Sequence, residues 1–490
     1  MVQPVPALPK SVSDLVLMDV PALSEAIGAR RVSCREVMAA FLDHIERFNP
    51  KVNAIVSLQP RDTLLAQAEE RDRELARGQR RGWMHGFPHA VKDLAPTRGL
   101  RTTWGSPLLD TVPGEDAIFV ERLRNGGAII IGKTNVPESG MGSQTYNSIF
   151  GTTLNPWDLS KTAGGSSGGA AAALALRMLP VADGSDMMGS LRNPAAYNNI
   201  LSLRPSYGRV PSADIELFFG QLMVAGPMAR SAADLALLLL VMAGPDARMP
   251  LSIDVDPVIF TRSLERDFRG TRLAWLGDLG GYLPMEPGIV ELCRAALKVL
   301  EAIGCAIEES GLGFPPERMW ASWLTLRHWL IAGNLGAFYQ DPAKRALMKP
   351  EAVWEVERGI KLSAQDVYQA SVERSELYRA VLKLFDNYEY LALPSAQVFP
   401  FDASTHWPKT VNGVAMDTYH RWMEVVVLAS MLGFPVANVP VGFSRDGLPM
   451  GMQIIGRRHA DFAMLQLAHA YEQSTRWLRD YRPPLLSRAY

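Results

Sequence analysis

The sequence has few of the residues that mark metal centres, disulfide scaffolds or redox motifs. It contains 3 cysteines and 8 histidines among 490 residues. Cys34, Cys293 and Cys305 are far apart, odd in number and outside any CxxC pair, which predicts reduced thiols in a cytoplasmic protein. No HExxH motif occurs, and the histidines are scattered. We therefore expect no metal ion and no other cofactor.

An excess of charge of one sign is missing as well, and so is a long hydrophobic run. Lys and Arg number 50 against 51 Asp and Glu, a formal net charge of -1. Phosphate-binding surfaces are strongly basic, so nucleic acid is not expected as a partner. The apolar run 235–243 is too short to cross a bilayer, and the first residues lack the basic and apolar regions of a signal peptide. No membrane partner is expected either.

Apolar residues are plentiful, at 48% of the chain, which is enough for a large core. Short apolar runs alternate with helical patterns between residues 89 and 182, which favours an α/β fold with a mixed sheet. Residues 1–75 are predicted to be a helical segment packed on the core, with a helix that starts at the capping box Ser33–Glu36 and stops at Asn49-Pro50. Residues 76–490 are predicted to complete one structural domain, with a variable substrate-pocket region at about 245–425.

Two serines in glycine-rich loops and an upstream lysine carry the chemistry. Ser166 lies in a Gly-Gly-Ser-Ser-Gly-Gly run, Ser190 precedes Leu-Arg-Asn-Pro, and no histidine lies between Lys92 and Ser190. Serine is a weak nucleophile until a base removes its proton, and Lys92 is the available base. It follows a short apolar strand, where burial lowers a lysine pKa by up to several units. The arrangement predicts acyl transfer, as in amide or ester hydrolysis. A surface lysine paired with Asp93 is the alternative.

Five stretches follow one another in a fixed order that spans most of the chain: Gly86–Asp93, Gly132–Glu138, Asn155–Gly169, Gly184–Pro194 and Gly447–Gly456. Together they resemble the amidase signature family. The resemblance implies one large mixed β-sheet wrapped by helices.

The resemblance also implies a role for each reactive residue. Lys92 would be the base and Ser190 the nucleophile. Ser166 would relay protons between them, from a cis peptide bond after Gly165. Gly165 and Ser167 would support this relay.

The loop before Ser190 is expected to stabilise the oxyanion of the reaction, because backbone amides in a tight loop can point at one atom. Asp186 and Arg192 are predicted to hold the loop by hydrogen bonds, although Arg192 could instead bind a substrate carboxylate. The amides assigned to the oxyanion hole are those of Met187, Met188, Gly189 and Ser190.

The sequence departs from the family pattern at Met188, where a glycine is usual. The larger side chain predicts a narrower, more apolar pocket. Met141, Trp320 and Trp323 are predicted to line it, because the two tryptophans are three residues apart on one helical face. Ordinary core packing is the alternative. The pocket hypothesis favours aryl amides, with aryl carbamates and esters also within reach.

Two other functions compete with a stand-alone amidase that acts on a small molecule as a monomer or homodimer. One is the ammonia-releasing component of a transfer-RNA-dependent amidotransferase. The other is an α/β-hydrolase that uses Ser166 in a GxSxG motif. That motif should follow a strand directly, whereas residues 155–161 are polar and irregular.

Overall fold

The computed structural model describes residues 14–213 and 216–487. Residues 1–13 of the predicted N-terminal helical segment lie outside the described residues. The described part of that segment is mostly helical, with one short strand.

The α-helices have these bounds: α1 Asp14–Leu17, α2 Val20–Gly28, α3 Cys34–Val52, α4 Arg61–Ala76, α5 Ile118–Asn125, α6 Gly168–Ala175, α7 Arg192–Asn198, α8 Ala232–Met242, α9 Ile289–Ala302, α10 Pro316–Gln340, α11 Pro342–Arg345, α12 Pro350–Gly359, α13 Ala364–Asn387, α14 Val427–Leu432, α15 Asp461–Ser474, α16 Trp477–Asp480 and α17 Pro484–Ser487. Short 3-10 helices cover Glu138–Gly140, Pro257–Thr261 and Arg421–Val426.

The strands have these bounds: β1 Ile55–Val56, β2 Pro88–Lys92, β3 Ile129–Thr134, β4 Tyr146–Asn147, β5 Gly151–Thr152, β6 Leu154–Asn155, β7 Asp158–Thr162, β8 Ala182–Asp186, β9 Leu201–Arg204, β10 Val224–Ala229, β11 Arg272–Trp275, β12 Ala306–Glu309, β13 Tyr390–Pro394, β14 Thr410–Val411, β15 Val414–Ala415, β16 Val436–Phe443 and β17 Pro449–Gly456.

A mixed sheet of eight strands organises the fold. Its order is β12-β11-β13-β17-β16-β9-β10-β8. The pairs β11–β12 and β11–β13 are parallel, and the remaining pairs are antiparallel. A smaller sheet, β1-β3-β2, pairs β2 in parallel with β3. Strand β8 is at one edge of the large sheet, and it leads into the loop that carries Ser190.

The N-terminal helix α3 starts as predicted and ends later than predicted. Both hydrogen bonds of the capping box between Ser33 and Glu36 are present. The helix continues through Pro50 to Val52, so the predicted stop at Asn49-Pro50 is wrong. The Asn49 side chain accepts from two amides of the chain that follows the helix, and these contacts stabilise the extra turn. A proline disfavours the helix before it, but such contacts can outweigh that preference.

The largest apolar cluster brings the N-terminal helices, β2 and α6 together. Its buried members include Phe41 of α3, Val91 of β2 and Ala171 of α6. Helix α6 consists of glycine, alanine and leucine, and these mostly small side chains allow close packing. A Cβ atom at Gly169 would lie 2.3 Å from the Asn135 amide nitrogen, so only glycine fits there. This close packing fixes the start of α6, directly after the loop that carries Ser166.

Candidate active site

Strand β2 carries Lys92 into the protein interior. All five residues of Pro88–Lys92 are buried, as expected for a strand covered on both faces. The Lys92 amide donates to Asp183 Oδ2 (3.1 Å), and His89 Nε2 lies 2.9 Å from Oδ1 of the same carboxylate. Asp183 belongs to β8. These bonds therefore hold the end of β2 beside the strand that leads to Ser190.

Four oxygen atoms surround the Lys92 side-chain nitrogen. Nζ lies 2.9 Å from Ser166 Oγ and 2.8 Å from Ser167 Oγ. It also lies 3.0 Å from Ser185 Oγ and 3.1 Å from the Ser185 carbonyl oxygen. The structure thus brings two predicted site residues, Lys92 and Ser166, into direct contact.

The electrostatic surroundings of Lys92 prepare it to accept a proton. Burial lowers the pKa of Lys92 to about 7, against the opposing attraction of Asp186 and Asp183. Lys92 is 1% exposed, and the carboxylate of Asp93 accepts from the Thr103 hydroxyl (2.6 Å). The alternative of a surface lysine paired with Asp93 is therefore wrong. Near pH 7 a large fraction of the amine is neutral.

Ser166 follows a cis peptide bond at Gly165-Ser166, as the family resemblance implies. Ser143 Oγ donates to the Gly165 carbonyl (2.7 Å) and accepts from the Gly165 amide (3.1 Å). A Cβ atom at Gly140 would lie 3.7 Å from Ser166 Oγ. The segment 140–143 therefore packs beside Ser166.

Ser190 lies in the loop between β8 and α7. The Ser167 amide donates to the Ser190 carbonyl (3.3 Å), which holds the two serine-bearing loops together. Ser190 is 8% exposed. Its hydroxyl has no hydrogen-bond partner within residues 14–213 and 216–487, so it is free to meet a substrate.

Three backbone amides of this loop are unpaired. The amides of Met187, Met188 and Ser190 have no acceptor in the described part of the chain. The fourth predicted amide, that of Gly189, donates to Asp186 Oδ1 (2.9 Å), because this carboxylate is turned into the loop. Met188 and Ser190 are buried and Met187 is partly buried. Buried N–H groups are nearly always paired, so these unpaired amides are donors available to a ligand.

Arg192 ties the loop to the core. Its Nε and Nη2 donate to Asp186 (3.0 and 2.9 Å), and its Nη1 donates to the Val426 carbonyl (2.8 Å) and to Gln453 Oε1 (2.7 Å). Burial by itself would raise the pKa of Asp186, but Arg192 and Arg204 outweigh it and hold this pKa well below its usual range. The Arg192 guanidinium is thus engaged within the protein.

Replacing Arg192 with methionine should therefore destabilise the fold. We expect the free energy of unfolding to fall by about 3–5 kcal/mol, because Asp186 would lose its closest positively charged partner inside the core. Urea titration followed by circular dichroism measures this. Arg31→Met is the control, since Arg31 and Glu25 form an exposed pair, and it should cost at most about 1 kcal/mol. Equal losses for both variants would contradict the anchoring role.

The predicted pocket residues fall into two neighbouring apolar clusters. Met188, Trp320 and Trp323 are buried together in one cluster. Met141 is buried in the other, which also contains Tyr419. Trp407 packs against both clusters. The structure thus brings Met188 and the two tryptophans together and places Met141 beside them in a separate cluster.

Three polar residues of this region were not predicted from the sequence. Asp183 and Ser185 alternate along β8, so their side chains lie on one face of that strand, and both contact Lys92. Arg327 contacts the loop that carries Ser190 through Met187. Its signal in the sequence is its spacing of seven from Trp320, which puts it on the same helical face.

Cys34, Cys293 and Cys305 are buried free thiols. Within residues 14–213 and 216–487, no group of three or more His, Cys, Asp or Glu could hold a metal ion. No helix in the same ranges is long and apolar enough to span a membrane.

Comparison with known proteins identifies the family. The family model described as Amidase matches residues 36–465, which include β2 and both serine-bearing loops. The chain belongs to the amidase family. The predictions of an amidase signature hydrolase acting on carbon–nitrogen bonds, and of one α/β domain with a mixed sheet, are confirmed.

Two kinds of relative resemble this amidase over most of its length. It is 33% identical over 460 residues to an acylamidase of Rhodococcus erythropolis, and the match covers 93% of this chain and 95% of that protein. It is 36% identical over 487 residues to a glutamyl-tRNA(Gln) amidotransferase component of Ralstonia nicotianae, with 93% and 97% covered. The crystal structure of a bacterial aryl acylamidase superposes with a TM-score of 0.89 at 29% identity, over 95% of this chain and 98% of that one.

Proposed function

We propose that this amidase hydrolyses amides by itself, through an acyl-enzyme on Ser190, with Ser166 as proton relay and Lys92 as base. The observation that carries the proposal is the 2.9 Å contact between buried Lys92 Nζ and Ser166 Oγ, beside the loop of Ser190. Action as a monomer or homodimer in the cytoplasm, without a cofactor, is part of the proposal.

The hydrogen bonds around Lys92 support the relay. A neutral amine has two N–H groups and one lone pair. The Ser185 carbonyl can only accept, and the Ser167 hydroxyl donates to that carbonyl (3.4 Å), so both can take an N–H from Lys92. The lone pair is then left for the hydroxyls of Ser166 and Ser185. Of these two residues, Ser166 directly precedes Ser167, whose backbone N–H donates to the Ser190 carbonyl.

The reaction follows in two halves. Ser190 Oγ bonds to the amide carbon while its proton passes to Ser166 and the Ser166 proton passes to Lys92. The carbon–nitrogen bond then breaks, and the proton returns through Ser166 to the leaving nitrogen. Water then attacks the acyl carbon while one of its protons passes through Ser166 to Lys92. The bond to Ser190 Oγ breaks, the proton returns to Ser190, and the acid is released.

The oxyanion formed in both halves would accept hydrogen bonds from the loop before Ser190. The unpaired amides of Met187, Met188 and Ser190 are the donors that we assign to it. The Gly189 amide instead bonds to Asp186, which fixes the loop before the substrate arrives. Donors held in place in this way need no rearrangement during the reaction, and each is worth about 100-fold to 1000-fold in rate.

The apolar clusters beside the loop support a preference for aryl substrates. A ring buried against Met188 and Trp323 would gain about 1.5–3 kcal/mol. We therefore expect aryl amides, aryl carbamates and esters to have kcat/KM values about 10- to 100-fold above those of short aliphatic amides. Steady-state rates on a panel of these compounds measure this.

Anilides also have a better leaving group, so the panel needs a matched pair. N-phenethylacetamide and N-propylacetamide differ in the ring and share the reactivity of an alkylamine amide. The phenethyl compound should be the better substrate. Equal or better turnover of acetamide or malonamate would refute the aryl preference and assign the methionines and tryptophans to core packing.

The amidotransferase alternative has a specific observation in its favour, since the relative from Ralstonia nicotianae is 36% identical. Under that alternative the chain would release ammonia for a partner bound to transfer RNA. The TM-score of 0.89 to an aryl acylamidase supports the main proposal. Glutaminase activity that requires a second, copurifying protein would favour the alternative, whereas aryl amide hydrolysis by the isolated chain would favour the main proposal.

A further inference from the structure

One face of helix α10 carries two indole N–H groups that have no acceptor within residues 14–213 and 216–487. This face includes Trp320 and the residues three and seven positions after it, Trp323 and Arg327, because that spacing puts side chains on one side of a helix. Their exposed fractions are 4%, 0% and 5%. Neither indole Nε1 has a hydrogen-bond partner among the described residues. Buried tryptophan N–H groups usually have an acceptor, so these two indole N–H groups are available to donate to a ligand.

Arg327 is held in a fixed orientation beside them. Its Nε donates to Glu355 Oε1 (2.6 Å) and its Nη2 donates to the Tyr419 hydroxyl (2.7 Å). Tyr419 in turn donates to the same Glu355 oxygen (2.7 Å). The guanidinium carbon lies 6.0 Å from the centre of the Trp323 ring. Arg327 and Glu355 form a buried pair without net charge.

The third nitrogen of Arg327 faces the nucleophile loop. Nη1 donates to Met187 Sδ (3.1 Å), and a thioether is a weak acceptor. Met187 packs against the cluster that contains Met188, and Tyr419 belongs to the cluster that contains Met141. Arg327 therefore contacts both clusters of the predicted pocket, and it contacts the side chain of Met187, whose amide is one of those assigned to the oxyanion.

We propose that Trp320, Trp323 and Arg327 form a subsite that binds a hydrogen-bond acceptor of the substrate, beyond the scissile carbonyl. The proposal rests on the proposed amide hydrolysis and narrows its substrate class to amides that carry a second neutral oxygen, such as an ether, carbonyl or carbamate oxygen. A carboxylate is disfavoured there, because Glu355 already balances the charge of Arg327 and a second buried anion would be uncompensated. Arg327 and the tryptophans thus set specificity, while Lys92, Ser166 and Ser190 perform the chemistry.

Isosteric substrates test this proposal. Hexanoic anilide is compared with its three analogues in which an ether oxygen replaces the methylene at acyl position 3, 4 or 5. A hydrogen bond to a charged donor predicts that at least one analogue has a kcat/KM about tenfold or more above that of the hexanoyl compound. In Arg327→Met this ratio should fall about tenfold or more, and the comparison with the wild type cancels the inductive effect that an oxygen at position 3 has on the carbonyl. Trp323→Phe keeps an aromatic ring without the N–H, and it should lower the ratio partially.

Two further variants keep the test decisive. Arg327→Met removes the positive charge that faces buried Glu355, so the double variant Arg327→Met/Glu355→Gln, which removes both charges, replaces it if the single variant does not fold. Arg318→Met is the matched control, because Arg318 lies on the same helix in a largely exposed pair with Glu376. Its ratio should equal that of the wild type.

The outcomes separate this proposal from the one it rests on. Turnover of all four anilides with ratios within twofold, or an unchanged ratio in the folded Arg327 variants, would overturn the subsite and leave the amidase intact. A higher kcat/KM for the carboxylate-bearing monoanilide of adipic acid would overturn the preference for a neutral acceptor. Absence of turnover for every anilide would overturn the subsite, and absence of turnover for the aliphatic amides as well would refute the amide hydrolysis on which it rests.

Discussion

Replacement of Ser190 with alanine is expected to lower kcat by about 10,000-fold or more. The acyl-enzyme cannot form without the hydroxyl, and only the oxyanion donors and substrate binding would remain to assist water. The rate is measured as release of aniline from an aryl amide. A phosphonylating reagent should also label the wild type at Ser190, as read by mass spectrometry of the modified peptide, and should leave Ser190→Ala unlabelled.

Ser24→Ala is the control for the loss of a buried serine hydroxyl. Ser24 lies in α2, and its Oγ donates to the Trp83 carbonyl (2.6 Å). This variant should keep its turnover. Labelling at Ser166 with Ser190 unmodified would contradict the assignment and would favour the GxSxG interpretation instead.

Replacement of Lys92 with methionine is expected to lower kcat/KM by about 1000-fold or more. Methionine preserves most of the buried volume but cannot accept a proton through Ser166, and general-base catalysis is typically worth 100-fold to 10,000-fold. The pH profile gives an independent signature. The base must be neutral, and burial lowers the pKa of Lys92 to about 7. Wild-type kcat/KM should therefore rise as the pH increases through about 7, and the residual rate of Lys92→Met should lack this rise.

Lys133→Met is the matched control, since Lys133 is a second buried lysine in the neighbouring strand β3. Burial lowers the pKa of Lys133 to about 8, and its Nζ donates to the Ala95 carbonyl (2.6 Å) and to Thr97 Oγ1 (2.7 Å). Its loss should lower kcat/KM of the folded enzyme less than tenfold. If Lys133→Met or a histidine variant such as His89→Ala abolished turnover while Lys92→Met did not, the Ser–Ser–Lys mechanism would be wrong.

The sequence alone predicted the family, the fold class and most local structure around the candidate site. Short-range patterns carry this information. The capping box at Ser33 starts α3, the apolar run before Lys92 forms β2, and the alanine-rich run after Ser167 forms α6. Lys92, Ser166 and Ser190 were recognised because glycine-rich loops and their spacing are properties of the chain itself. Their catalytic roles stay proposals until the variants are measured.

Only the tertiary structure decided which side chains meet. Ser185 contacts Lys92 although the two residues are 93 positions apart in the chain, and Glu355 contacts Arg327 from another helix. No local sequence pattern predicts either contact. The turn of Asp186 toward the Gly189 amide likewise depends on how Arg192 is held by the core. Side-chain hydrogen bonds and the burial that lowers the pKa of Lys92 arise from packing between distant segments. For that reason the sequence indicated the reactive residues, whereas the donors that surround them became visible only in the folded protein.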